Sequence, residues 1–212
     1  MWTTMLIAIP CAVGLAVLSR PIMQLLFPQP DSLELASELL MMIAVTVIFY
    51  SLSTLSNGIL QGIGKVNLPV RNAAIALAVQ TVLLIVLLMF TELDIYALVI
   101  CLIVYSGLMC ILNSFSVRRC IGVKENFKTM FLLPVIAAAL MGICAKGVYM
   151  GLNMLVESNA VCLTVSIVAA VIVYAAAALK IGAVGAEQIR SFPKGDRLVR
   201  IAKKAHLLYD KK

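Results

Sequence analysis

Six long apolar segments constrain the fold of this chain more than any other feature. They cover residues 3–27, 35–60, 68–90, 95–117, 129–151 and 160–179. A helix of about 20 mostly apolar residues spans a bilayer, and none of these segments shows the alternation of a membrane β-strand. Charged residues make up 13% of the chain, against about 25% in soluble domains. The sequence therefore predicts an all-α membrane protein with six transmembrane helices.

The charged residues of the connecting segments alternate in sign along the chain. The first, third and fifth connections carry acids, at residues 31–38, 92–94 and 157. The second and fourth carry mainly bases, at residues 65–71 and 118–128, and the tail from residue 180 is basic. Because short basic loops stay in the cytoplasm, both termini are predicted to lie inside. The net charge of +7 then reflects topology, and no nucleic-acid partner is expected.

The second connection, residues 60–69, is predicted to be a cytoplasmic turn. Gly62 and Gly64 tolerate backbone conformations that other residues avoid, and Pro69 cannot continue a helix interior. Lys65 adds a positive charge on the cytoplasmic side. The Gly-x-Gly-Lys pattern lacks the spacing and the following Ser or Thr of a nucleotide-binding loop, so we assign it no chemistry.

Polar residues inside the apolar segments are the candidates for a transport path. Those of the second segment recur every three or four positions and so share one helix face: Thr46, Tyr50, Thr54, Asn57 and Gln61. Gln80 lies in the middle of the third segment, and Arg20 lies near the predicted outer end of the first. The alternatives are hydrogen bonds between packed helices for the amides and hydroxyls, and snorkelling to the interface for Arg20.

No enzyme site is predicted. The single His206 has no nucleophile beside it, and no carboxylate pair lies within a predicted span. The six cysteines form no Cys-x-x-Cys pair and are interpreted as small hydrophobes, so we expect no catalytic residues, metal or cofactor. The predicted organisation is four helices over residues 1–117, two over 118–180, and a basic cytoplasmic tail over 181–212 with a short amphipathic helix or a solvated chain.

Several motifs together resemble one family of transporters. They are Ile9-Pro10, Gly14-Leu15, Arg20-Pro21-Ile22 and Leu25-Leu26-Phe27, then Leu60-Gln61-Gly62-Ile63-Gly64-Lys65 with Pro69 and Asn72, then Tyr105 and Asn113, and finally Gly182-Ala183, Glu187 and Phe192-Pro193-Lys194-Gly195. In order and spacing they resemble the second half of stage V sporulation protein B-like transporters. These belong to the multidrug/oligosaccharidyl-lipid/polysaccharide (MOP) flippase superfamily.

The resemblance implies a fold of about fourteen helices in two lobes, of which this chain would hold helices nine to fourteen. Residues 1–117 would then be part of the second lobe, and 118–180 the C-terminal helix pair. It further implies a flippase of the bacterial plasma membrane. The expected partners are membrane lipids, a lipid-linked sugar substrate, and a missing N-terminal lobe or partner chain.

Two other functions remain open from the sequence. A cation-coupled multidrug exporter half would need an ion-binding carboxylate within a span, and the six predicted spans contain none. A non-transporting membrane scaffold subunit would also fit a chain of six helices.

Overall fold

A computed structural model describes residues 2–27, 29–122, 131–156 and 158–181. It contains seven helices there and no strand. They are α1 (Trp2–Val17), α2 (Ser19–Leu26), α3 (Pro30–Gly62), α4 (Asn67–Phe90), α5 (Asp94–Ile121), α6 (Leu133–Asn153) and α7 (Asn159–Lys180). The predicted amphipathic helix of the tail falls in residues 182–212, outside the described part of the chain.

The predicted membrane spans are confirmed, except that the first of them is a bent pair of helices. Helices α3 to α7 are each long and apolar enough to cross a membrane. A sixth span is formed if α1 and α2 count as one bent helix. The chain is thus an all-α, multi-pass membrane protein, and the cytoplasmic placement of its termini stays a prediction.

The first span is broken, where the sequence predicted one helix over residues 3–27. The break falls at Leu18, whose φ of −101° and ψ of 18° leave the helical range, and the two parts are bent by 72°. Pro21 explains the position, because it has no N–H to donate to the carbonyl four residues earlier and its ring crowds that carbonyl. That carbonyl belongs to Val17, where α1 ends. The helix runs unbroken through Pro10.

The predicted turn over residues 60–69 is shorter than expected. Helix α3 continues to Gly62 and α4 begins at Asn67, so only residues 63–66 connect them. Gly64 has a φ of +76°, the left-handed conformation that glycine adopts without strain. Pro69 lies in the first turn of α4, where its missing N–H costs the helix nothing.

Two helix ends extend beyond the predicted segments for local reasons. Helix α3 starts at Pro30 with Asp31 in its first turn, and both residue types favour a helix N-terminus. Helix α5 runs to Ile121 and ends at Gly122, which has a φ of +72° and donates its N–H to the carbonyl of Arg118 at 2.9 Å. This is a glycine C-cap.

The described helices fall into two compact units, Met1–Glu125 and Asn126–Lys212. In the first unit α3 is central and packs against α1, α2 and α5, while α5 also packs against α4. The second unit is an α6–α7 pair. Small buried residues line that pair: Ala137, Ala138, Gly142 and Ala145 on α6, and Cys162, Ser166, Ala170 and Ala178 on α7. Such residues let helix backbones approach closely in a membrane.

Candidate functional site

The predicted polar stripe of α3 is divided between the protein interior and its surface. Thr46 is buried, and its hydroxyl donates to the carbonyl of Ile43 in its own helix at 2.7 Å. Asn57 is half-buried and accepts a hydrogen bond from α5. The other three, Tyr50, Thr54 and Gln61, are exposed. The stripe is therefore not one continuous buried wall, and its role as a transport path stays a prediction.

The two remaining path candidates lie on other helices. Gln80 is half-buried on α4, and Arg20 is exposed on α2, two residues after the break at Leu18. Tyr50 contacts α5 through the ring of Tyr105, with ring centroids 6.4 Å apart and tilted by 51°.

A buried amide on α5 organises the polar interior of the first unit. Asn113 is 0% exposed. Its Nδ2 donates to Ser53 Oγ and to Asn57 Oδ1, both at 2.8 Å, and both acceptors are on α3. Its Oδ1 accepts from Nδ2 of Asn72 on α4 at 2.9 Å. One side chain therefore links three helices.

The network extends about one turn further along α5, to Ser116. Asn72 Nδ2 also donates to Ser116 Oγ at 3.0 Å, and Ser116 donates to the carbonyl of Leu112 at 2.9 Å. We refer to Ser53, Asn57, Asn72, Asn113 and Ser116 as the polar network. A buried amide in a membrane helix is costly unless it is hydrogen-bonded, and here each bond also fixes the position of one helix against another.

The polar network lies toward the end of the bundle that carries the α3–α4 turn. Asn113 is eight residues before the end of α5, which is ~12 Å at the rise of a helix. Asn72 is in the second turn of α4. At this depth the surroundings of the helices are lipid rather than bulk water, so the amides of the polar network find their partners on neighbouring helices.

Reasoning from residue patterns missed the polar network as a site. In the sequence, Asn72 and Asn113 stand out only as motif positions of the family resemblance. A local signal was present, because a lone amide within an apolar span needs a partner. Ser53 flanks the predicted polar stripe of α3, whereas Ser116 gave no signal, since an isolated hydroxyl can bond to the carbonyl of its own helix.

A basic cavity opens next to the polar network. It has a volume of about 590 Å³ and is lined by Gly64, Lys65, Asn67, Leu68, Arg71, Phe115, Ser116, Arg119 and Cys120. Three of these residues are cations and none is a carboxylate. Ser116 belongs to both the cavity lining and the polar network. The turn residues Gly64 and Lys65 are thus part of a concave, positively charged surface.

These features define a class, a multi-pass helical membrane protein with a broken first span and a buried polar network. Residues 1–90 match the family model MatE. The match covers less than half of the chain, and the proteins of the MatE family are transporters. No curated protein and no solved structure matches the chain.

Proposed function

We propose that the chain is part of a flippase that moves an isoprenoid-linked oligosaccharide or cell-wall precursor across the bacterial plasma membrane. The MatE match supports a transporter of this superfamily. The observation that carries the proposal is the break between α1 and α2, with its 72° bend. Discontinuous membrane helices commonly surround the substrate sites of transporters, because their interrupted backbone is tolerated only beside protein or a cavity.

Arg20 is the residue through which the broken span would act on the substrate. It is exposed and lies in the first turn of α2, directly after the break. Isoprenoid-linked sugars carry phosphates, and a guanidinium binds phosphate through two parallel hydrogen bonds. Arg20 would contact these phosphates while the sugar passes the bilayer midplane.

Transport would proceed by rocking of one lobe against another. The polar network would hold α3, α4 and α5 together as one body during this motion. A second lobe is required for alternating access, so we propose that the chain acts with an N-terminal lobe or a partner chain. The helices of the first unit would form one wall of the path.

The test is a flipping assay in liposomes with a fluorescent isoprenoid-diphosphate oligosaccharide. We expect no flipping by this chain alone, and flipping when it is co-reconstituted with an adjacent-gene product of about eight helices. In that complex Arg20→Gln should slow flipping about tenfold, since losing one charged phosphate contact removes on the order of 1.5 kcal/mol. Lys146→Gln is the matched control, because Lys146 is an exposed cation on α6, a helix of the second unit that has no break.

Three outcomes would contradict the proposal. Flipping by the isolated chain would remove the need for a second lobe. Transport of a cationic dye in exchange for protons, without movement of the sugar lipid, would favour a multidrug exporter. No transport with any partner would favour the scaffold function.

A further inference from the structure

The cavity at the α3–α4 turn has the charge and chemistry of an anion site. Lys65, Arg71 and Arg119 line it from three different segments: the turn, the first turns of α4 and the end of α5. We propose that this cavity binds the phosphate group of an anionic membrane lipid. The inference is independent of the cargo and of the flippase proposal.

The position of the cavity favours a lipid headgroup as the source of the phosphate. The cavity lies where α4 begins and α5 ends, and both helices are long and apolar enough to span a membrane. Their ends therefore reach the membrane–water interface, where lipid phosphates lie. Anionic lipids attract basic residues close to the surface.

The donors in the cavity suit a phosphate oxygen cluster. Two guanidinium groups offer planar pairs of N–H donors, and the ammonium of Lys65 adds a compact charge. The N-terminus of α4 contributes further partial positive charge. On the apolar side, Leu68 and Phe115 line the cavity, and Phe115 is 64% exposed. They would contact the glycerol and the first methylenes of the acyl chains.

A simpler interpretation is that these cations only keep the turn in the cytoplasm. The neighbouring residue Arg118 separates the two interpretations. It is exposed, like Arg119, and lies in the same last turn of α5, but it does not line the cavity. A topology signal should depend equally on both arginines, whereas a binding site should depend on Arg119.

The cavity carries its own reporter, because the exposed Cys120 lines it. The test measures the rate at which N-ethylmaleimide labels Cys120 in the full chain, read by mass spectrometry of the peptide. The chain is placed in nanodiscs of phosphatidylcholine, with or without phosphatidylglycerol. The measured quantity is the protection factor, which is the labelling rate without phosphatidylglycerol divided by the rate with it. A change that a substitution makes in the intrinsic reactivity of the thiol cancels in this ratio.

We expect phosphatidylglycerol to protect Cys120 in the unaltered chain and in Arg118→Gln. In Arg119→Gln and Arg71→Gln the protection factor should fall about fivefold, because one basic residue at an anionic surface contributes on the order of 1 kcal/mol and 1.4 kcal/mol is a factor of ten. A second arm adds inorganic phosphate to phosphatidylcholine nanodiscs, where we expect little protection.

Equal losses in Arg118→Gln and Arg119→Gln would overturn the proposal, because general surface charge would then account for the protection. Protection by inorganic phosphate without protection by phosphatidylglycerol would overturn the lipid source. Circular dichroism and gel filtration of each variant exclude misfolding as the cause of a lost effect.

Discussion

Replacing Asn113 by Leu should destabilise the first unit more than any other single hydroxyl or amide change in α5. The side chain is 0% exposed and makes three hydrogen bonds to other helices, two to α3 and one to α4. Leu fills the site without a polar atom. The substitution therefore removes all three interhelical bonds at once and leaves little empty space.

The expected cost follows from the number of bonds. Interhelical side-chain hydrogen bonds in membrane proteins contribute about 0.6 kcal/mol on average and about 1.7 kcal/mol at most. Three of them give about 2–5 kcal/mol, which is a large part of the stability of a typical domain. The mean estimate corresponds to a Tm decrease of at least about 4 °C for a chain of this size.

Thermal unfolding can be followed with a dye that fluoresces on reaction with thiols, because Cys101 and Cys110 are buried on α5. The matched control is Ser106→Ala. Ser106 is also fully buried on α5, but its hydroxyl donates to the carbonyl of Ile103 in the same helix, at 3.0 Å. A bond within one helix survives when the helices separate in the membrane, so this variant should stay close to the unaltered Tm.

A Tm for Asn113→Leu within about 1 °C of the unaltered chain would refute the assignment of Asn113 as the central link, since even one average bond predicts a larger decrease. So would an equal decrease in Ser106→Ala. A double-mutant cycle with Asn72→Leu gives a second check. The two substitutions remove the same bond, so their combined cost should be less than the sum of the single costs.

Three further predictions concern the backbone and the topology. Gly64→Ala should destabilise the protein by about 1–2 kcal/mol, because its φ of +76° is unfavourable for residues with a Cβ. Gly58→Ala inside α3 should be neutral or stabilising by up to about 1 kcal/mol, because no atom beyond the adjacent backbone of α3 lies within 4 Å of the Cβ that alanine would add. Thermal unfolding measures both variants, and stability changes of the same sign would contradict this prediction. Pro21→Ala restores an N–H donor and should reduce the 72° bend, measured as a longer distance between spin labels on α1 and α2; an unchanged distance would assign the bend to packing. An impermeant thiol reagent added outside cells should label Asp94→Cys and spare Asn67→Cys, and the reverse pattern would invert the topology.

The number and type of the helices could be predicted from the sequence because both depend on local composition. Apolar length alone identifies α4 and α7 to within one or two residues at each end. The break in the first span was less accessible, because both Pro10 and Pro21 lie in the same apolar segment and either can interrupt a helix. The helix continues through one and breaks before the other, and apolar length does not distinguish the two.

The polar network could not be derived from spacing, because its partners are distant along the chain. Asn113 and Asn72 are separated by 41 residues, and Asn113 and Ser53 by 60. Helical periodicity groups residues that share a face of one helix, and it predicts the α3 stripe on that basis. It gives no information on which faces of two helices meet, so it predicts Asn57 as part of the stripe but not its bond to Asn113.

The polar network and the basic cavity are physically continuous through Ser116. This residue lines the cavity and accepts a hydrogen bond from Asn72, which in turn donates to Asn113. The network therefore fixes how α4 and α5 are spaced where Arg71 and Arg119 approach the cavity. An anion that binds both arginines stabilises that spacing of the helices. By thermodynamic linkage, the network strengthens anion binding by the same free energy. The anchoring of three helices and the binding of a lipid phosphate would thus be two consequences of one arrangement of side chains.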